Sequence, residues 1–145
     1  MSLFANIKSK IRTFDFDKVI VDYVNENNDE LVDMQISQWD EGKASTGKKL
    51  RNNITGKTTY SKGYKRRKKK LGLSTSVVNL KLTNDFRNDT GVVLNNRTIV
   101  FTSFDAKTGL VTFQYNDVFG LDDKNFNKLQ SGIKDSIGNK LINSL

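Results

Sequence analysis

Three features of the 145-residue sequence predict an α+β fold. Apolar residues recur at helical spacing between Asp122 and Leu145, and again between Asp17 and Trp39, while short β-branched and aromatic runs separated by turn residues fill the stretch from Val77 to Tyr115. The expected architecture is an antiparallel β-meander packed by a long N-terminal helix and a C-terminal amphipathic helix, with an extended basic arm. A chain of this length buries one core, so 1–145 reads as a single domain with the arm, 42–71, inserted between the first helix and the sheet.

Taken in order, Asp17 is a candidate helix cap, and Val19, Ile20, Tyr23, Val24, Leu31 and Met34 share one helical face, which predicts a helix over roughly Asp17 to Trp39. The all-polar stretch Asn25 to Asp29 is its weak point and could divide it in two. Phe14 and Phe16 alternate with charged neighbours, as a short strand or a hydrophobic staple would. From Gly42 to Tyr64, four glycines among Ser, Thr, Asn and Lys, with Leu50 and Ile54 as isolated apolar residues, predict an extended, mobile excursion. Tyr60 to Leu71 reads as a short basic helix stopped at Gly72. Strands are expected at Val77–Leu82, Gly91–Leu94, Arg97–Phe104 and Leu110–Tyr115, with turns at Asn95-Asn96 and at Asp105–Gly109 making successive hairpins. Asp122 can cap a final helix whose stripe is Phe126, Leu129, Ile133, Ile137 and Leu141; that stripe should lie on one face of the sheet.

Composition removes whole chemistries. The chain has no His, Cys or Pro, so it offers no thiolate nucleophile, no Cys/His zinc site, no disulfide and no imidazole base. An enzyme is therefore not expected, nor a cofactor, a catalytic residue or a metal site. No apolar run approaches the roughly 18 residues of a membrane span, and Met1 to Lys10 lacks the features of a signal peptide, so a soluble protein made in a cytoplasm is expected.

Charge is segregated. Overall there are 24 Lys and Arg against 16 Asp and Glu, a net of +8, yet Gly42 to Asn84 holds 13 of the cations and no carboxylate, leaving −5 for the remainder. The sharpest feature is the run Lys65, Arg66, Arg67, Lys68, Lys69 and Lys70, preceded by Tyr60, Lys62 and Tyr64. Six adjacent cations repel one another, and a polyanionic partner, nucleic acid or an acidic protein surface, relieves that repulsion and releases counterions. A solvated helix face or a disordered arm is the plainer alternative. Tyr60 and Tyr64 could stack on bases.

Other features are weaker. The pairs Asp15/Asp17, Asp40/Glu41 and Asp122/Asp123 have structural explanations as caps and turns. Gly42 to Lys49 has the Gly-x-x-x-x-Gly-Lys spacing of a phosphate-binding loop, but Lys49 replaces the required Ser or Thr and no apolar strand precedes it. Trp39, the only tryptophan, is suited to anchoring the first helix in the core, with a role at an assembly interface as the second reading.

In order and spacing, these landmarks resemble the small tail-completion or head–tail joining (neck) proteins of tailed bacteriophages. The parts that carry the resemblance are the initial helix ending near Trp39, the Gly42–Gly47 turn, Thr58-Thr59-Tyr60-Ser61-Lys62, the element Leu80-Lys81-Leu82-Thr83-Asn84-Asp85-Phe86, then Phe119-Gly120-Leu121 and the terminal amphipathic helix. Asn84 stands where the family pattern has Gly, and the Gly42–Gly47 turn lacks the family's acidic residue. The resemblance implies a non-enzymatic virion protein acting in tail completion or head–tail joining as an oligomeric ring subunit. Its implied partners are further copies of itself and other neck, connector or tail proteins, with contact to DNA left open, and with no membrane and no small-molecule substrate. It implies a place in the virion neck or tail, and in the host cytoplasm during assembly. The rival reading is a free-standing basic nucleic-acid-binding protein.

Overall fold

The computed structural model describes residues 2–81 and 85–145. Its element order is α1 (Leu3–Thr13), α2 (Phe16–Glu26), α3 (Asn28–Asp40), α4 (Lys62–Lys70), α5 (Asp85–Asn88), β1 (Thr90–Asn95), β2 (Thr98–Ser103), α6 (Thr108–Gln114) and α7 (Asp123–Ser144). The fold is α+β: helices around a two-stranded antiparallel sheet, closed by a long C-terminal helix.

The helix expected from Asp17 to Trp39 is two helices, broken at Asn27 inside the polar stretch. At the break Asn27 Nδ2 donates to the Tyr23 carbonyl beside the Asn27 N–H, and Asn28 Nδ2 donates to the Val92 carbonyl, which ties the start of α3 to β1. Asp15 caps α2 in place of Asp17, its Oδ1 accepting the Lys18 N–H at 3.0 Å. Phe14 ends α1 and Phe16 begins α2, with their rings edge-on at 4.9 Å, so neither belongs to a strand.

The meander reduces to one hairpin among the described residues. Its turn is Asn96-Arg97, one residue beyond the expected Asn95-Asn96, and both residues have positive φ, as a two-residue turn matched to the strand twist requires. The Val77–Leu82 strand is not formed over 77–81, where Leu80 takes φ 59° and interrupts the extended chain; Leu82, Thr83 and Asn84 lie outside the described residues, and with them part of the resembling element. The expected strand Leu110–Tyr115 is helical up to Gln114, with Tyr115 as the cap. The turn before α6, where Asp105 Oδ1 accepts the Lys107 N–H and Thr108 Oγ1 donates to the Ser103 and Asp105 carbonyls, redirects the chain out of the sheet. Helical spacing then puts Val111 and Tyr115 on the inner side and leaves Leu110 and Phe113 exposed.

Two apolar clusters make the core. One gathers Trp39, Ala44, Leu50, Val78, Phe86, Tyr115 and Val118; the other gathers Val24, Leu31, Leu129 and the hairpin residues Val92 and Phe101; Phe119 packs against both. The expected packing of the final helix on the sheet is only partly realised. α7 lies along α2, α3 covers β1, and α7 reaches the hairpin cluster through Leu129 and Ile133.

The clusters are tied by two buried glutamines of α3. Gln35 Oε1 accepts the Gly120 N–H at 2.8 Å, while Gln38 Nε2 donates to the Gly120 carbonyl and Gln38 Oε1 accepts from Asp122 N–H and Asn125 Nδ2. These carboxamides satisfy backbone groups of the segment leading into α7 that would otherwise be buried without partners.

The 42–71 segment is not an extended arm. Ala44 and Leu50 are core residues, Lys43 and Lys49 form an antiparallel bridge, and Ser45 N–H donates to the Asp117 carbonyl. Gly42, at φ 69°, closes α3 into this segment, and any Cβ there would collide with the Val77 side chain.

Candidate functional site

The basic helix α4 has the sequence Lys62-Gly-Tyr-Lys-Arg-Arg-Lys-Lys-Lys70, and an isolated peptide of that kind would gain little from folding, since like charges at helical spacing cost about 0.2–0.5 kcal/mol per pair. Three local features set it. Ser61 Oγ accepts the Tyr64 N–H and caps the start; Arg67 to Lys70 place positive charge on the last turn, where the helix dipole favours it; and Gly72 turns the chain away.

What docks α4 on the body is a contact among Tyr64 and Lys68, one turn apart in the helix, and Tyr60, which precedes its cap. The Tyr60 and Tyr64 rings meet at 4.7 Å, and the Lys68 ammonium sits 4.4 Å from the Tyr60 ring centroid. Lys68 is fully buried and donates to Asn79 Oδ1 at 2.6 Å. Tyr60 Oη accepts the N–H groups of Asn79 and Leu80, at 3.1 and 2.9 Å, which stabilises the unusual Leu80 backbone. Burial raises the Tyr60 phenol well above its ordinary range and pulls the Lys68 ammonium down to about 8, with Arg87 and Lys81 adding repulsion.

The predicted partner-binding residues therefore separate. Lys62, Arg66, Arg67, Lys69 and Lys70 are exposed and Lys65 is half-buried, while Lys68 is turned inward and has no surface to offer a partner. Tyr60 and Tyr64 are both half-buried and both line a cleft, with the Tyr60 hydroxyl engaged by backbone N–H groups. The assembly-interface reading of Trp39 is corrected as well. Trp39 is wholly buried between Phe86 and Phe119, and its Nε1–H donates to the Val118 carbonyl at 2.8 Å.

That cleft, of about 700 Å³, opens between the 52–61 segment, α4 and α6. Its floor is apolar, from Leu80, Phe86, Val111 and Tyr115, and Lys57, Arg67 and Lys107 bring cations to it from three separate parts of the chain. Among its described lining residues there is no carboxylate. The sequence reading missed this cleft because it took Leu110–Tyr115 for a strand; the signal within reach was the four-residue spacing of Tyr60, Tyr64 and Lys68, although Tyr60, expected at the start of the basic helix, lies just before it.

The carboxylate pairs are engaged in structure. Asp15 and Asp122 cap α2 and α7, and Asp40 accepts from Arg87 Nη2 at 2.6 Å, with the guanidinium buried and the carboxylate exposed. Among the described residues no group of three or more acidic, Cys or His side chains is arranged to hold a metal ion, and no helix is long and apolar enough to cross a membrane. Comparison with protein-family models, with curated proteins and with solved structures gives no match for this chain.

Proposed function

We propose that this chain is a non-enzymatic assembly subunit of a tailed-phage particle, acting in tail completion or head–tail joining within an oligomeric ring, through the exposed cationic face of α4. The observation that carries the reading is the inward anchoring of Lys68, which fixes Lys62, Arg66, Arg67, Lys69 and Lys70 as a preformed surface. A rigid cationic face pays less ordering entropy on meeting a polyanion than a disordered arm does. The order of landmarks in the sequence supplies the phage context, and neck, connector or tail proteins are the proposed partners, with DNA in contact where the ring surrounds its path.

Deleting the gene from its phage tests this: filled heads and finished tails that fail to join are the expected phenotype. Normal infectious yield contradicts it.

A second reading, a free-standing nucleic-acid-binding protein, is favoured by one observation, the cationic face lying beside a cleft lined by Tyr64. Affinity for single-stranded or duplex nucleic acid at physiological salt, together with absence from particles, would promote it.

A further inference from the structure

The chain carries opposite charge on two successive stretches of sequence. Residues 13–41 hold nine carboxylates and one lysine, whereas 42–84 hold thirteen cations and no carboxylate. The acidic stretch forms α2 and α3, and the basic stretch forms α4 and one wall of the cleft. An apolar floor with cations at its rim fits a group of specific chemistry, an aromatic side chain flanked by carboxylates. A cleft of about 700 Å³ accommodates one or two such side chains.

The molecule presents that chemistry itself. At the junction of α1 and α2 the sequence is Phe14-Asp15-Phe16-Asp17, with Phe16 43 % exposed and both carboxylates on the surface. The two rings brace each other at 4.9 Å, and the capping bond of Asp15 fixes the turn, so the knob is preformed. The pairing of Asp17 with Arg97 is exposed on both sides and exchanges at little cost. This knob starts α2, which packs on α7, while the cleft opens off the Trp39 cluster; knob and cleft are therefore different surfaces.

We propose that the cleft receives the Phe14–Asp17 turn of a second copy of this chain, with Phe16 on the apolar floor and Asp15 and Asp17 against Lys57, Arg67 and Lys107. Contact between two different surfaces is head-to-tail, and it propagates until it closes into a ring. The inference deepens the ring-subunit reading and rests on it for that closure.

Two complementary variants test it. The knob variant combines D15N, F16A and D17N, retaining the cap because Asn caps as well as Asp. The cleft variant combines K57E, R67E and K107E. By analytical ultracentrifugation, wild-type protein is expected to associate in a concentration-dependent way that weakens at least tenfold as salt rises from about 50 to about 500 mM. Each variant alone is expected to sediment as a monomer. An equimolar mixture, which retains one knob and one cleft in working order, is expected to stop at a heterodimer. A monomeric wild type, variants that associate like wild type, or a mixture that stays monomeric while circular dichroism shows both variants folded, overturns the proposal. If either triple variant fails to fold, the single substitutions F16A and R67E take their places in the same mixing experiment. Association by this contact combined with absence from purified particles refutes the phage reading alone; presence in particles with no heterodimer refutes the docking alone.

Discussion

The Lys68 ammonium and the Asn79 carboxamide oxygen meet at 2.6 Å in the interior, beneath a helix whose other cations, the half-buried Lys65 apart, face solvent. The same Asn79 Oδ1 accepts the Lys81 N–H at 3.1 Å, and the Asn79 N–H is held by Tyr60 Oη. One asparagine thus links the basic helix, the tyrosine pair and the irregular segment that follows. A buried charge hydrogen-bonded to a neutral oxygen is costly, and its cost is measurable.

Stability should rise between about pH 8 and pH 10. The Lys68 ammonium is pulled down from 10.5 to about 8 by burial, so across this window the unfolded chain holds a proton that the folded chain has released, and raising the pH favours folding. Below pH 8 both states are protonated and the full penalty, about 3 kcal/mol, persists. Above pH 10 the sign reverses: Tyr60, Tyr64 and Tyr115 are raised by burial, so their phenols ionise first in the unfolded chain. Urea midpoints at intervals from pH 7 to 11 should peak near pH 9.5 (roughly midway between the two effects). K68M should remove the rise and keep the fall; parallel curves for the two proteins would refute this account of Lys68.

Replacing Trp39 should cost stability in proportion to what is removed. W39A leaves a large cavity between Phe86 and Phe119 and should destabilise by about 3–5 kcal/mol. W39F keeps most of the ring but withdraws the donor from the Val118 carbonyl, and should cost about 1–3 kcal/mol. Far-UV circular dichroism in urea reads both, since the variants have no tryptophan to report fluorescence.

Two glycines of α7 should respond to alanine with opposite signs. A Cβ at Gly132 would run into the Tyr23 phenol of α2, whereas a Cβ at Gly138 would meet nothing nearby. Alanine gains about 1 kcal/mol in a helix interior, so G138A should raise the melting temperature. At Gly132, overpacking costs of about 1–3 kcal/mol outweigh that gain, and G132A should lower it. Equal shifts would mean that α7 is not seated on α2 at Gly132.

Much of the fold was legible because the deciding signals were local. Asp122 and its apolar stripe marked α7, and Gly91 to Phe104 marked the hairpin; the polar stretch around Asn27 was only a weak point in one expected helix, and it is where α2 and α3 part. α1 was not read at all, although its Ser2 cap is local and it buries no side chain; the other failures came where tertiary contacts decide. Leu110 to Tyr115 is too short and too β-branched for periodicity to separate strand from helix, and only the turn at Asp105 makes it α6. Leu50 and Ile54 look like isolated apolar residues in a polar segment, yet Leu50, with Ala44, falls into the Trp39 cluster once that segment folds back, while Ile54 stays exposed. In the candidate site, the cationic run was plain, but the inward rotation of Lys68 depends on Asn79, eleven residues on.

Neutralising the exposed face of α4 should separate assembly from folding. Changing Lys62, Arg66, Lys69 and Lys70 to Gln should leave the melting temperature unchanged or slightly raised, because exposed cations contribute little to monomer stability and their mutual repulsion is relieved. The same change should lower association with a polyanionic or acidic partner by at least tenfold.

The most direct test of the central claim is quantitative mass spectrometry of purified phage particles, with crosslinking, from infections complemented by wild-type protein or by that quadruple variant. The assembly reading expects the wild-type chain in every particle at a fixed copy number, with α4 lysines crosslinked to carboxylates of a neighbouring subunit, and expects the folded variant to be missing from particles. A wild-type chain absent from purified particles, and recovered instead on nucleic acid in infected cells, would contradict it.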